Sequence, residues 1–224
     1  MSTGTRWPTD GPRVVELQAA DEPEAWEAAG FALDGDLARI GTVAIRLVGR
    51  TAGKGIVGWT LAGVDVADGD LDGLPTTLAT HEATTAKAPT HPNGVTKVDH
   101  VVVLTPDLER TIDACAVAGL QLKRIREATS NGSPMRQAFF RLGPTILEVV
   151  SGDVGNGLPA AESPSRWFGL AVDVVDLDAT RALLGDALGT TKPAVQEGRR
   201  IATLRHEALG MSVAVAAMDD HGDR

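Results

Sequence analysis

Two side chains in apolar surroundings hold most of the chemistry open to this chain. His100 heads the run VDHVVVL, and Glu148 lies inside TILEVV. An imidazole and a carboxylate can ligate a divalent cation such as Zn, Ni, Fe or Mn, or act as acid and base without one. Glu148 is the more demanding of the two. In a strand it shares a face with Ile146 and Val150 and opposes Leu147 and Val149, so both faces are apolar. A carboxylate there must be paired, hydrated or ligated, and Arg46, Arg136 and Arg141 are its candidate partners. For His100 the plainer alternative is a strand-end histidine hydrogen-bonded to a neighbour.

Other residue types frame these two. Aromatic residues are 4% of the chain and tyrosine is absent, so each adjacent pair, Phe139 with Phe140 and Trp167 with Phe168, is expected to split between core and pocket. Phe139, Phe140 and Trp167 are therefore candidate ligand-binding rings. Arg141 is a further candidate ligand contact, and Arg199, Arg200 and Arg205, near the last hairpin, are candidates for an anionic ligand group, with solvated strand-face charges as the plainer reading. His206 and Glu207 fall in the RHEALG turn, where exposure is the rule. The single cysteine, Cys115, rules out an internal disulfide and a thiolate cluster; its helical spacing from Leu108 and Ile112 marks it as a small buried residue. KGIVG lacks the Lys-Ser/Thr ending of a phosphate loop, DVADGDLDGL lacks the spacing of a calcium loop, and no Gly-x-Ser-x-Gly elbow occurs.

The elements that must position these residues follow from periodicity. RVVEL reads as a strand and DEPEAWEAAGF as a helix with Asp21 as N-cap and Gly30 as its stop. DLARI, TVAIRLV and GIVGWTLAGV are short, glycine-bounded strands. Residues 65 to 94, rich in Thr, Ala and Pro, read as a linker or covering loop. VDHVVVL is a strand, a helix is expected near 106 to 118 with Gly119 as its stop, and LQLKRIREA, MRQAFFRL and TILEVV are three more strands. The order recurs in FGLAVDVVDLDATRALLGDALG, with a helix near 177 to 188 and strands around PAVQE, RRIATLR and MSVAVAAM. DLERT at 107 to 111 repeats as DLDAT at 176 to 180, an offset of 69. RIGTVAIRLVG at 39 to 49 aligns without gaps on RLGPTILEVVS at 141 to 151.

VDHVVVLTPDLERT, the glycine-ended helix and the late ILEVV resemble the glyoxalase/bleomycin-resistance/extradiol-dioxygenase group, the vicinal oxygen chelate superfamily. The resemblance implies an α+β fold of paired βαβββ modules forming a curved mixed sheet around a pocket. It assigns residues 95–224 to a glyoxalase-like domain with modules at 95–152 and 166–218, leaving 1–64 as a degenerate N-terminal module plus an extra strand. Metal-using members take ligands from the first and last strands of each module, here His100 and Glu148. Carried into the partner module, those positions fall on Gly169 and on Val215 or Ala214. In the N-terminal segment they fall on Val14 and Arg46. Two protein ligands rarely hold a metal against water and chelators, so no cofactor is expected, with a divalent metal (Zn, Ni, Fe or Mn) as the alternative.

The function readings are a small-molecule-binding protein with a degenerate metal site, a lyase, isomerase or dioxygenase using His100 and Glu148, or a structural or partner-binding module. A net charge of −9 without a Lys/Arg cluster opposes nucleic-acid binding. No apolar run approaches the roughly 20 residues that span a bilayer, and the first ten residues lack signal-peptide order. A cytoplasmic protein is the expectation, and a homodimer is one way for the N-terminal module to pair.

Overall fold

The computed structural model describes residues 11–66, 69–80, 88–130, 132–152, 160 and 162–219. Its first part runs β1 (Arg13–Ala19), α1 (Pro23–Ala28), β2 (Leu37–Ile40), β3 (Val43–Leu47), β4 (Ile56–Ala62), β5 (Asp70–Leu71) and β6 (Leu74–Leu78). These strands form a six-stranded sheet in the order β2-β3-β1-β4-β6-β5. The second part runs β7 (Val95–Leu104), α2 (Leu108–Val117), β8 (Leu122–Ser130), β9 (Ser133–Leu142), β10 (Thr145–Gly152), β11 (Arg166–Val174), α3 (Leu177–Leu184), β12 (Lys192–Pro193), β13 (Arg200–Thr203) and β14 (Ala214–Asp219). These make an eight-stranded sheet, β12-β13-β14-β11-β7-β10-β9-β8.

The repeat is visible at the helix starts. Asp107 accepts from Arg110 N at 3.1 Å to cap α2, and Asp176, 69 residues on, accepts from Asp178 N at 2.8 Å to cap α3. Helix α2 buries Leu108, Thr111 and Cys115 along one face, and burial pushes the Cys115 thiol up to about 12, which removes it as a nucleophile. In each module the last strand lies parallel to the first: β10 to β7, and β14 to β11. The two first strands meet antiparallel, β7 against β11, and place the modules side by side.

The six-stranded sheet follows the same plan. β3 is parallel to β1, β4 is antiparallel to β1, and β6 is parallel to β4 with β5 antiparallel beyond it. β4-β5-β6 thus occupies the place of a second unit stripped of its helix. This corrects the reading of 65 to 94 as connecting sequence: residues 70–71 and 74–78 are strands, while 67–68 and 81–87 lie outside the described residues. The strands are too short to show a period, and what holds them is tertiary. Trp59 Nε1 donates to Thr76 Oγ1 at 2.7 Å, and Leu71 and Leu74 are buried.

A second correction concerns α1. Its N-cap is Glu22, without a side-chain bond. Asp21 is fully buried and accepts from Trp26 Nε1 at 3.1 Å and from Val213 N at 3.3 Å, tying α1 to the entry of β14. One hydrophobic core runs through both sheets, from Leu17, Trp26 and Ile45 through Trp59 to Val101, Leu147, Leu177 and Val215. At the junction the rings of Trp59 and Trp167 pack edge to face, 4.8 Å between centroids.

Candidate small-molecule site

A cavity of about 1000 Å³ lies against the eight-stranded sheet, and the segments Lys54–Val57 and Gly73–Pro75 of the first sheet complete its wall. This is the upper end of the range for small-molecule sites. Most of the wall is apolar: Ile56, Leu74, Val102, Leu104, Val150 and Leu170 are among its residues. His100, Gln137 and Glu148 form a polar strip within it.

The strip is assembled by neighbouring strands. His100 pairs with Ile146 across β7 and β10, and Glu148 stands two residues further along. Their side chains therefore share a face, with His100 Nε2 3.6 Å from Glu148 Oε2. Gln137 on β9 pairs with Val150 and donates its amide N–H to Glu148 Oε1. None of the three arginines anticipated for Glu148 reaches it. Arg46 binds Glu16 and Asp36, Arg136 binds Glu109, and Arg141 donates to Pro144 O.

On its other side the imidazole is held by Asp99, whose Oδ2 accepts from Nδ1 at 2.7 Å. Successive strand residues ordinarily point to opposite faces. Here Ala171 pairs with His100 and Val172 with Val98, so Asp99 is the extra residue of a bulge and turns back toward its neighbour. Arg199, 7% exposed, donates to Asp99 Oδ1 at 3.2 Å, to Asp219 O at 2.9 Å and to Asp173. Lys97 Nζ lies 3.2 Å from the other oxygen of Asp173. Lys97, Asp173, Arg199, Asp99, His100 and Glu148 thus form a chain of charged and ionisable groups ending in the cavity.

That chain sets protonation. Burial opposes a charge on His100, but the bond to Asp99 and the nearby Glu148 outweigh it, and the imidazole pKa is raised. Burial also opposes the Asp99 carboxylate, yet His100 and Arg199 pull its pKa below the ordinary aspartate value. For Asp173, burial and then the Asp99 charge raise the pKa against the pull of Arg199 and Lys97.

The candidate ligand contacts fall in different places. Trp167 lines the cavity. Phe140 is 1% exposed, belongs to the core and is outside the cavity lining. Phe139 lies beneath the Arg124 guanidinium, 4.6 Å from ring centre to carbon, outside the cavity lining. Arg141 and Arg205 are also outside it, Arg205 being exposed in the approach to the His206–Leu209 turn. His206 and Glu207, read as solvated, are at the cavity edge. Gln137 and Asp99 escaped sequence reasoning. Gln137 was within reach of hairpin arithmetic, because a turn at Gly143-Pro144 sets Phe139 opposite Glu148 and Gln137 opposite Val150; the bulge that turns Asp99 has no such signal.

No family model and no curated protein matches the sequence. Solved structures do. A mutant 4-hydroxymandelate synthase from Streptomyces coelicolor superposes with a TM-score of 0.64 at 15% identity, covering 97% of this chain and 94% of that one. A xylose isomerase-like TIM barrel/4-hydroxyphenylpyruvate dioxygenase fusion protein gives 0.60 at 13% identity, covering 97% of this chain and 50% of the other. The chain has the vicinal oxygen chelate fold. With that fold established, strand pairing locates the positions equivalent to His100 and Glu148. In the β11–β14 module Gly169 pairs with Ala214, so Ala216, rather than Val215 or Ala214, takes the place of Glu148. In the β1–β3 unit Glu16 pairs with Ala44. There Glu16, rather than Val14, takes the place of His100, and Arg46 that of Glu148, the two bonded at 3.1 Å.

A divalent metal in the vicinal oxygen chelate arrangement fits only half of this donor set. His100 and Glu148 are oriented for it, with Asp99 in the supporting position usual for a ligating histidine. Opposite them stand Gly169 and Ala216, which offer no donor. Among the described residues, no group of three or more His, Cys, Asp or Glu is arranged to hold a metal ion.

Proposed function

We propose that this is a small-molecule-binding protein whose cavity uses His100, Gln137 and Glu148 as its polar strip and has no stoichiometric metal of its own. The observation that carries this reading is at Gly169. A Cβ built there would stand 2.3 Å from the backbone oxygen of Ala214, so a side chain at the position equivalent to His100 would require the backbone to shift. That close approach supports an incomplete shell, and a cavity of this size supports a ligand in its place. The test is elemental analysis of protein purified without chelator or affinity metal, with small-molecule mass spectrometry on the same sample. The expected result is substoichiometric Zn, Ni, Fe and Mn with a retained organic ligand. Near-equimolar metal that is lost in His100→Ala would overturn it.

One observation favours a second reading, metal-free acid–base chemistry. The 2.7 Å bond from His100 Nδ1 to Asp99 leaves Nε2 directed to the Glu148 side of the cavity, the arrangement of an oriented imidazole beside a carboxylate base. In this reading His100 donates a proton and Glu148 accepts one. Single turnover of a retained ligand that stops in both His100→Gln and Glu148→Gln would support it.

A further inference from the structure

His100 Nε2 and Glu148 Oε2 stand 3.6 Å apart on one face of the paired strands β7 and β10. That is too long for a hydrogen bond, and among the described residues neither atom has another partner. Both side chains keep access to the cavity they line, with 19% and 13% of their surface exposed. The neighbours place the proton. Nδ1 gives its hydrogen to Asp99, and a bare Nε2 would set a lone pair against the Glu148 carboxylate, so Nε2 is a donor. Gln137 occupies Oε1 of Glu148 and leaves Oε2 as an acceptor. The strip thus offers one donor and one acceptor side by side. Further along the same face the rungs are apolar: Val102 pairs with Glu148 and Leu104 with Val150, and all three apolar residues line the cavity.

Resting on the small-molecule reading above, we propose that the cavity binds an uncharged primary amide or lactam, its C=O accepting from His100 Nε2 and its adjacent N–H donating to Glu148 Oε2, with an apolar body over Val102, Leu104 and Val150. Spacing selects this edge over a single hydroxyl. An oxygen bonded to both atoms at about 2.8–2.9 Å would hold its two bonds only about 80° apart across the 3.6 Å gap, well inside the tetrahedral angle. The oxygen and nitrogen of an amide lie about 2.2 Å apart, so two nearly parallel bonds reach the pair, as in a bidentate arginine–carboxylate contact. Charge selects the amide over its ionic relatives. A carboxylate would accept from the imidazole, but its second oxygen would meet Glu148 Oε2 with no hydrogen between them, and Asp99 already balances the ring. An amidinium would pair with Glu148 and press its second N–H against the Nε2 donor. Lys54 and Arg166 also line the cavity, but both are exposed, where water and salt screen their pull on an anion.

Benzamide, benzoate and benzamidinium share one shape and differ in which of the two edge atoms carry hydrogen. Titration of the full chain with each, followed by backbone amide chemical shifts, tests the assignment. Benzamide is expected to bind at least about tenfold more tightly than either ion, and Glu148→Gln, whose side-chain amide can donate, to erase most of its advantage over benzoate. Either ion binding as tightly as benzamide overturns the inference and leaves the cavity reading standing, as does an advantage over benzoate that survives Glu148→Gln. Benzamide leaving every cavity resonance unmoved also overturns it, and the cavity reading falls as well only if the purified protein carries no organic ligand. The wild-type comparison decides the matter even where the variant does not fold.

Discussion

A Cβ on Gly169 would stand 2.3 Å from Ala214 O and 2.9 Å from Ala214 Cβ. These two residues are ladder partners beside the irregularity at Trp167 and Gly169, so the close approach is built into the sheet. Supplying the missing imidazole as Gly169→His therefore does not rebuild a metal shell. The variant is expected to lose at least about 1–3 kcal/mol of stability from overpacking, read by urea unfolding, with no gain in Zn affinity. A stable variant that binds Zn more tightly would show that the strands can separate there.

The Asp99–His100 bond makes a pH-dependent contribution with a definite sign. The raised folded pKa of His100 means that its share of stability is fully present below the unfolded value of 6.5 and is lost as pH rises through the folded pKa. Asp99, with a lowered pKa, contributes above 3.8 and loses its contribution as pH falls through its folded value. Asp99→Asn should bring the His100 pKa down, followed by NMR titration of the ring. An unmoved titration would mean that Glu148 alone sets the charge of His100.

How far the sequence reached depended on the range of the interactions involved. The two helices that DLERT and DLDAT start and the strands through His100 and Glu148 were legible because each is patterned within a short stretch of sequence, and the 69-residue repeat because those two stretches match. The partners of Glu148 were not legible: charge alone points to Arg46, Arg136 and Arg141, whereas the register of β10 against β7 and β9 brings His100 and Gln137 to it. β5 and β6 were lost for a related reason: strands of two and five residues are stabilised by Trp59 and the neighbouring strand rather than by their own pattern. Asp21 looked like a cap because its type and position fit one, and tertiary bonding to Trp26 and Val213 took it elsewhere.

His91 is a buried histidine whose neutral form is required. Its Nδ1 accepts from Ala32 N at 3.0 Å and its Nε2 donates to Arg39 O at 2.9 Å, pinning the segment before β7 to the first sheet. Burial lowers its pKa, against a smaller upward pull from Arg39 O. The folded value lies below 6.5, so its contribution is full above that pH and is lost as pH falls through the folded pKa. His91→Phe should cost on the order of 1–3 kcal/mol near pH 8 and flatten the loss of stability as pH falls below 6.5. A variant that keeps the wild-type acid slope would assign that slope to other groups.

Asp72 joins three elements from a strained position. Its backbone is left-handed, φ 53°, a conformation that suits glycine better than aspartate. Its carboxylate accepts from Arg110 Nε at 2.6 Å, from Ser165 Oγ at 2.6 Å and from Thr111 Oγ1, linking the β5–β6 turn to α2 and to the entry of β11. Asp72→Gly relieves the backbone and deletes the acceptor, so the sign of its effect separates the two. Breaking a buried ion pair costs roughly 3–5 kcal/mol, and the 35% exposure of Arg110 places this one nearer about 2–3 kcal/mol. The relief at φ returns about 1 kcal/mol. Net destabilisation on chemical denaturation is therefore expected for Asp72→Gly, and a larger loss for Asp72→Ala, which keeps the strain and lacks the carboxylate. Stabilisation by glycine would mean that the Arg110, Thr111 and Ser165 bonds contribute less than the backbone strain they hold in place.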